Sequence, residues 1–143
     1  MRVELYEDGN WLLSGEAFSI YSSCMYQPTY GDYKTQMEDY LSDSSIKVFV
    51  YEDLGRKTGM IVLKLLADAA EIIGIAVSAN FRCKGIGKQL IQHVMESENL
   101  KSIIAQTDGD SIDFYRKCGF SEKKSIIEYP DGEVVRYNCV LVK

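Results

Sequence analysis

Residues 72–97 limit the possible folds of this chain most, because their sequence predicts a strand, a basic glycine loop and a helix in direct succession. Residues 72–77 form a short apolar, β-branched run, which is typical of a strand buried on both faces. From Ile86 onward apolar residues recur at helical spacing, which predicts an amphipathic helix. The loop between them reads Phe-Arg-Cys-Lys-Gly-Ile-Gly-Lys over residues 81–88. We therefore expect a strand that leads through a basic loop into a helix.

This loop has the features of an anion-binding site. The first turn of a helix has backbone N–H groups without intrahelical partners, and the helix dipole favours negative charge there. Gly85 and Gly87 lack a Cβ atom, so a bulky anion can approach the backbone closely. Arg82, Lys84 and Lys88 add positive charge around the same turn. The expected ligand is a phosphate or a pyrophosphate.

Two common phosphate-binding motifs do not fit the loop. The dinucleotide fingerprint requires a third glycine at the position that Leu90 occupies here. The triphosphate-binding loop requires four residues between its glycines and a Ser or Thr after the lysine. Here only Ile86 separates the glycines, and Gln89 follows Lys88. A nucleotide-binding protein is therefore disfavoured.

Patterns along the rest of the chain predict the element order β, α, α, β, β, β, α, β, α, β, β. The strand–helix–strand crossover in the second half predicts a locally parallel pair within an otherwise antiparallel sheet. Asp8, Gly9 and Asn10 are expected to form a turn. Strands are predicted over residues 2–6, 47–51, 58–66, 70–77, 102–106, from 120 onward and over 134–142, and helices after Ser14 and over 33–42, 86–98 and 112–118.

Two ordered motifs give the chain a family resemblance. The first is Arg82-x-x-Gly85-x-Gly87, between a strand and a helix, and the second is Phe114-Tyr115-x-x-x-Gly119-Phe120. Together with the element order, they resemble the GCN5-related N-acetyltransferases over essentially the whole chain. The resemblance implies a single α/β domain over residues 1–143. Its mostly antiparallel sheet would have six to seven strands, flanking helices and a splayed parallel strand pair.

The resemblance also implies where acetyl-CoA would bind. Its pyrophosphate would lie on the loop, and its pantetheine arm would pair with the preceding strand. Asp108 stands near a position where the family often has an asparagine that contacts the coenzyme, so this contact is less secure, and capping of the next helix is expected of Asp110. The residues implied in coenzyme binding are Ile75, Ala76, Val77, Arg82, Cys83, Lys84, Gly85, Ile86, Gly87, Lys88, Asp108 and Tyr115.

Two residues are candidates for catalysis. Tyr115 matches the family's general acid near the coenzyme sulfur, and a phenol, with a reference pKa of about 10, is protonated at neutral pH. The other interpretation of Tyr115 is an aromatic packing residue. Glu71 lies at the distance from Gly85 at which some members carry a general-base glutamate, although a polar residue at a strand end explains it equally well. Tyr21, Tyr26, Tyr30 and Tyr33 cluster in the region that usually borders the family's acceptor site.

The leading hypothesis is an acetyl-CoA-dependent N-acetyltransferase that transfers its acetyl group directly to a small-molecule or peptide primary amine in a ternary complex. The alternative is a non-catalytic acyl-CoA-binding sensor or assembly module. A homodimer would be in keeping with the family.

Composition limits the other possibilities. The net charge of −5 disfavours nucleic acid as the main partner. No apolar run reaches the ~20 residues of a membrane span, and the N-terminus lacks a signal-peptide core, so a cytoplasmic protein is expected. The four cysteines and one histidine are scattered, so no metal site is predicted. Cys83, between two cations at a helix start, is expected to be the most reactive thiol.

Overall fold

All seven strands belong to one sheet in the computed structural model, which describes residues 2–143. The strands are β1 Arg2–Leu5, β2 Ile46–Asp53, β3 Arg56–Leu66, β4 Ala69–Val77, β5 Ser102–Thr107, β6 Ser121–Tyr129 and β7 Gly132–Val142. Their spatial order is β1-β2-β3-β4-β5-β7-β6, and every neighbouring pair is antiparallel except β4 and β5. The predicted mixed, mostly antiparallel sheet with one parallel pair is confirmed.

Helices cover both faces of this sheet. On one face lie α1 Gly9–Leu12, α2 Gly15–Tyr21 and α3 Tyr30–Ser42, and on the other lie α4 Ile86–Ser97 and α5 Ile112–Lys117. The apolar stripe of α4 is fully buried at Leu90, Ile91 and Val94, as its 3.6-residue pattern predicts. Burial of each such side chain contributes roughly 1.5–3 kcal/mol, so α4 is held firmly against the sheet. No helix within residues 2–143 has the length and apolar character that a bilayer span would need.

The parallel strands β4 and β5 separate soon after they pair. Residues 69–71 pair with residues 102–104, and the pairing goes no further. Beyond that point β5 continues in register with β7 as far as Thr107, and β4 keeps only β3 as its neighbour. One backbone edge of residues 72–77 therefore faces a gap between two diverging strands.

A β-bulge lies at the start of this gap. The register with β3 passes from Ile72↔Leu63 to Gly74↔Val62, so Ile73 has no partner. A bulge changes which face successive side chains point to. Ile72 and Ile75 both pack toward α4, and a side chain at Gly74 would project toward α2. The bulge therefore turns Gly74 to the face that carries α1, α2 and α3.

Two helix starts differ from the sequence-based prediction. The turn expected at Asp8-Gly9-Asn10 is instead the start of α1, because the Asp8 carboxylate accepts a hydrogen bond from the Asn10 N–H (3.0 Å) and caps the helix. Helix α3 begins at Tyr30 rather than at Tyr33, because the Thr29 hydroxyl accepts from the Asp32 N–H (3.1 Å).

Candidate active site

The first turn of α4 presents free backbone donors. Gly85 caps the helix in a left-handed conformation (φ 79°, ψ 10°), and no side chain caps this end. The first helical hydrogen bond runs from the Gln89 N–H to the Gly85 carbonyl (3.0 Å). The N–H groups of Ile86, Gly87 and Lys88 precede it and have no intrahelical acceptor. An anion at this turn would supply the missing acceptors.

The two loop glycines serve different purposes. A Cβ atom added to Gly85 would lie 4.0 Å from its nearest neighbour, Gln89, so this side of the loop is open. A Cβ atom added to Gly87 would lie only 2.7 and 2.8 Å from two ring carbons of Phe114. Gly87 therefore makes room for the Phe114 ring, and its predicted role in admitting an anion to the backbone stays a prediction. At Gly85 the approach predicted for an anion is unobstructed, and its role in binding stays a prediction.

Three cations surround this turn. The Arg82 Nε donates to the Val77 carbonyl (3.1 Å), which holds the arginine beside the end of β4. The Lys84 ammonium lies 5.6 Å from the centroid of the Phe81 ring. Lys88 belongs to the first turn of α4, and Cys83 is exposed with a left-handed backbone (φ 62°). The loop thus combines free donors, an open approach and positive charge, as a pyrophosphate requires.

The gap between β4 and β5 begins beside this loop. Ile75 and Val77 are partly buried on the α4 face, whereas the Ala76 methyl packs toward α1, α2 and α3. Burial raises the pKa of the Cys24 thiol, and the backbone N–H of Ile75 partly opposes this rise. The Ser78 N–H donates to the Thr58 carbonyl (2.7 Å), and alternation along this antiparallel ladder then directs the N–H groups of Ile75 and Val77 away from β3 and toward the gap.

Tyr115 lies in α5 between two aromatic rings. Its ring is 5.1 Å from that of Phe114 and 5.2 Å from that of Phe120, both edge to face. Burial, more than any neighbouring charge, raises the pKa of the Tyr115 phenol, and Cys24 and Asp108 raise it further. Its hydroxyl makes no hydrogen bond to any other residue of the described chain 2–143. Tyr115 is therefore a buried, protonated donor in the core on the α4 side of the sheet.

Glu71 marks the point where β4 and β5 diverge. It is the last β4 residue that pairs with β5, opposite Ile104. Its neighbours Ala70 and Ile72 pack toward α4, so Glu71 projects from the opposite face. The side chain is exposed, and its carboxylate forms no ion pair or hydrogen bond within residues 2–143. The Glu71 carboxylate is therefore accessible at the point where the gap opens, and its role as a general base stays a prediction.

Asp108 has a structural task in the turn before α5. Its Oδ1 accepts hydrogen bonds from the N–H groups of Asp110 (3.0 Å) and Ser111 (3.1 Å). No side chain caps the start of α5, so the capping role expected of Asp110 is wrong, and Asp108 instead closes the turn that precedes the helix. A contact between Asp108 and the coenzyme stays a prediction.

Sequence reasoning missed one group at the gap, formed by Tyr21, Cys24 and Gly74. The Tyr21 hydroxyl occupies the space that a Gly74 side chain would need, and the Cys24 Sγ would lie 3.1 Å from that side chain. Burial of the thiol raises the pKa of Cys24 to about 11, although the residue as a whole is exposed. No local signal identifies this group, because Gly74 is some fifty positions from its two partners in the chain.

The four tyrosines of the expected acceptor region fall into two pairs. Tyr33 is fully buried and its hydroxyl donates to the Leu12 carbonyl (2.5 Å), while the Tyr30 hydroxyl donates to the Leu13 carbonyl. These two tyrosines hold α3 to the end of α1. Tyr21 and Tyr26 instead line a cavity on this face, beside the bulge.

Comparisons with known proteins agree with this geometry. The model of the acetyltransferase (GNAT) family matches residues 14–120, so the chain belongs to that family. No curated protein sequence matches the chain significantly.

Solved structures of the same fold cover nearly the whole chain. The ribosomal-protein-S18-alanine N-acetyltransferase from Escherichia coli is 18% identical, with a TM-score of 0.74 over 99% of this chain and 92% of that one. A GNAT family acetyltransferase from Elizabethkingia anophelis with acetyl-CoA bound is 18% identical (TM-score 0.70; 99% and 97% covered). An aminoglycoside 6'-N-acetyltransferase complexed with coenzyme A is 13% identical (TM-score 0.75; 99% and 97% covered). The fold prediction is confirmed.

Proposed function

We propose that this protein is an acetyl-CoA-dependent N-acetyltransferase that acetylates a primary amine by direct transfer. The observation that carries the proposal is the gap that opens between β4 and β5 after Glu71. It joins the free donors of α4 on one face of the sheet to the helices α2 and α3 on the other. Coenzyme and amine can therefore meet there from opposite faces.

Different residues around the gap would bind different parts of the coenzyme. The N–H groups at the start of α4, with Arg82, Lys84 and Lys88, would hold the pyrophosphate. The free edge of β4 at Ile75, Ala76 and Val77 would pair with the amide groups of the pantetheine arm, as an added strand does. The first contact uses N–H groups without an intrahelical acceptor, and the second uses the edge of β4 that no strand of the sheet pairs with.

The transfer requires two proton movements. The amine nitrogen forms a bond to the acetyl carbon, and the bond from that carbon to the coenzyme sulfur breaks. Tyr115, whose raised pKa keeps it protonated, would give its proton to the departing sulfur. Glu71 would take the amine proton through a water molecule. Positioning of both substrates would supply much of the remaining rate.

The proposal is tested by measuring thiol release from acetyl-CoA with a panel of primary amines. We expect turnover with at least one amine, and Tyr115→Phe should lower kcat by about 100-fold or more while acetyl-CoA affinity is unchanged. Glu71→Gln should lower kcat at neutral pH, and the loss should shrink as pH rises and free amine accumulates. Tight acetyl-CoA binding without turnover of any amine would favour the non-catalytic module instead.

A further inference from the structure

A small cavity lies beside the gap on the face of the sheet that carries α1, α2 and α3, which we call the acceptor face. Its volume is about 220 Å³, which is below the range of about 300–1,000 Å³ for pockets that hold drug-sized ligands. It is lined by Tyr21, Cys24, Met25, Tyr26, Asp32, Gln36, Tyr40 and Ile73. A short aliphatic molecule fits these dimensions better than a peptide or a sugar does.

The cavity adjoins the place where the acetyl group is expected. Ile73 is the bulged residue of β4, and Tyr21 and Cys24 both reach the backbone at Gly74. These three lining residues form its inner end. A molecule in the cavity would therefore have one end at the gap and the other toward α3.

The outer end of the cavity is built by one side of α3. Asp32, Gln36 and Tyr40 stand at positions i, i+4 and i+8, so they share one face of the helix. Asp32 is the only charged residue among those lining the cavity. No lysine or arginine within residues 2–143 forms an ion pair with it. The Tyr26 ring is 89% exposed, so its face is free to contact a cation.

Charge is divided between the two faces of the gap. Residues 9–42, which form the helices on the acceptor face, contain four acidic side chains and one lysine. The loop 81–88 contains three basic side chains and no acidic one. Such a division draws an anionic ligand to α4 and a cationic ligand to the cavity.

We propose that the cavity binds the acceptor as a short aliphatic amine that carries a second positive charge, with the distal charge at Asp32 and the reacting nitrogen beside Ile73. This inference rests on the proposed acetyltransferase function. It also helps to explain how the reacting nitrogen loses its proton. A second positive charge on the same molecule lowers the pKa of the reacting ammonium, so a larger fraction is neutral.

Three probe amines of equal chain length test the inference. Butylamine, 1,4-diaminobutane and 4-aminobutyrate each have four carbon atoms, and they end in a methyl group, an ammonium group and a carboxylate. We expect kcat/KM to be highest for 1,4-diaminobutane, by about 10-fold over butylamine, of which about 5-fold comes from an ion pair with an exposed carboxylate that contributes up to ~1 kcal/mol. Two equivalent amines account for a factor of two, so a larger ratio is required. The lowest value is expected for 4-aminobutyrate.

A matched pair of α3 variants locates the effect. Asp32→Asn should lower the ratio of the kcat/KM value for 1,4-diaminobutane to that for butylamine by about 5-fold, whereas Glu38→Gln should leave the ratio unchanged. Both variants remove one exposed carboxylate from α3, but Glu38 does not line the cavity. A ratio of kcat/KM values is independent of the amount of active enzyme, so altered folding of either variant does not affect it.

The remaining outcomes separate this inference from the proposed function. Equal or better turnover of butylamine or 4-aminobutyrate would overturn the inference and leave the acetyltransferase standing, as would an unchanged ratio in Asp32→Asn. If no amine is acetylated, calorimetric titration with 1,4-diaminobutane decides the matter. Binding that Asp32→Asn abolishes would support the cavity even though the enzymatic proposal had failed. Absence of binding would overturn both.

Discussion

Replacement of Gly87 by alanine distinguishes two explanations of the glycine loop. On sequence grounds Gly87 admits the pyrophosphate, so a larger side chain should weaken acetyl-CoA binding. In the structure a Cβ atom at Gly87 meets the Phe114 ring at 2.7 Å, and such contacts force a neighbour to move. The main effect of Gly87→Ala should therefore be on stability.

The size of this effect follows from two opposing contributions. Alanine is favoured over glycine inside a helix by about 1 kcal/mol. Overpacking of a filled core costs about 1–3 kcal/mol. We expect Gly87→Ala to lose about 1 kcal/mol of unfolding free energy, whereas an open site would show a gain of about that size. Urea denaturation measures the difference, provided that the slope with denaturant is unchanged.

A double-mutant cycle with Phe114→Leu isolates the contact. The shorter leucine side chain leaves space for the added methyl group, so Gly87→Ala should be stabilising in the Phe114→Leu background. The coupling between the two sites is expected to be about 1–3 kcal/mol, the cost of the overpacking itself. In that background acetyl-CoA affinity should not change when Gly87 becomes alanine.

Gly85→Ala is the comparison within the same loop. Its left-handed backbone should make alanine less stable by about 1–2 kcal/mol in either background, because the strain is local. The reasoning about Phe114 is refuted if Gly87→Ala has the same effect with and without the ring. If acetyl-CoA binding weakens equally in both backgrounds, the steric role first assigned to Gly87 is restored.

Three further predictions concern thiols, a buried hydroxyl and an ion pair. Peptide mapping of iodoacetamide alkylation at neutral pH should show that the exposed Cys83 reacts fastest and that acetyl-CoA slows its reaction. Because the pKa of Cys24 is raised to about 11, the alkylation rate of Cys24 should still increase about tenfold per pH unit between pH 8 and 10. Thr58→Val should raise the unfolding free energy by about 1 kcal/mol in urea, because the buried Thr58 hydroxyl has no partner. Arg116 lowers the pKa of Glu122, so the stabilisation from this ion pair is present above the ordinary carboxyl pKa and is lost in acid. The difference in unfolding free energy between the protein and Arg116→Ala should therefore disappear below about pH 4, and a difference that grows there would contradict this.

The centre of the fold was predictable because its signals are local. The run of residues 72–77, the glycine loop and the helical periodicity after Ile86 all lie within one continuous stretch. Helix starts were less predictable, since Asp8-Gly9-Asn10 has the composition of a turn as well as that of a capped helix. The hydrogen bond of the Asp8 carboxylate decides between them, and residue type alone does not reveal it.

The acceptor side of the site was not predictable in detail because its contacts are distant in the chain. Gly74 lies next to the bulge of β4. What the glycine accommodates is Tyr21, which reaches it only through the packing of α2 on the sheet. Cys24 likewise belongs to an apolar pattern in the sequence, and the fold brings its thiol to the backbone of β4.

Because of three consecutive features, β4 is both a central strand of the sheet and one border of the gap that connects its two faces. Pairing with β5 ends at Glu71, the bulge at Ile73 turns the strand, and Gly74 admits Tyr21 from the acceptor side. An unsatisfied buried backbone group costs about 1–3 kcal/mol, so an edge strand in the middle of a sheet is retained only where something else pairs with it. A ligand arm that pairs with residues 75–77 would supply those partners, and the positive loop at one end and the acidic helices at the other would determine which substrate approaches from each side.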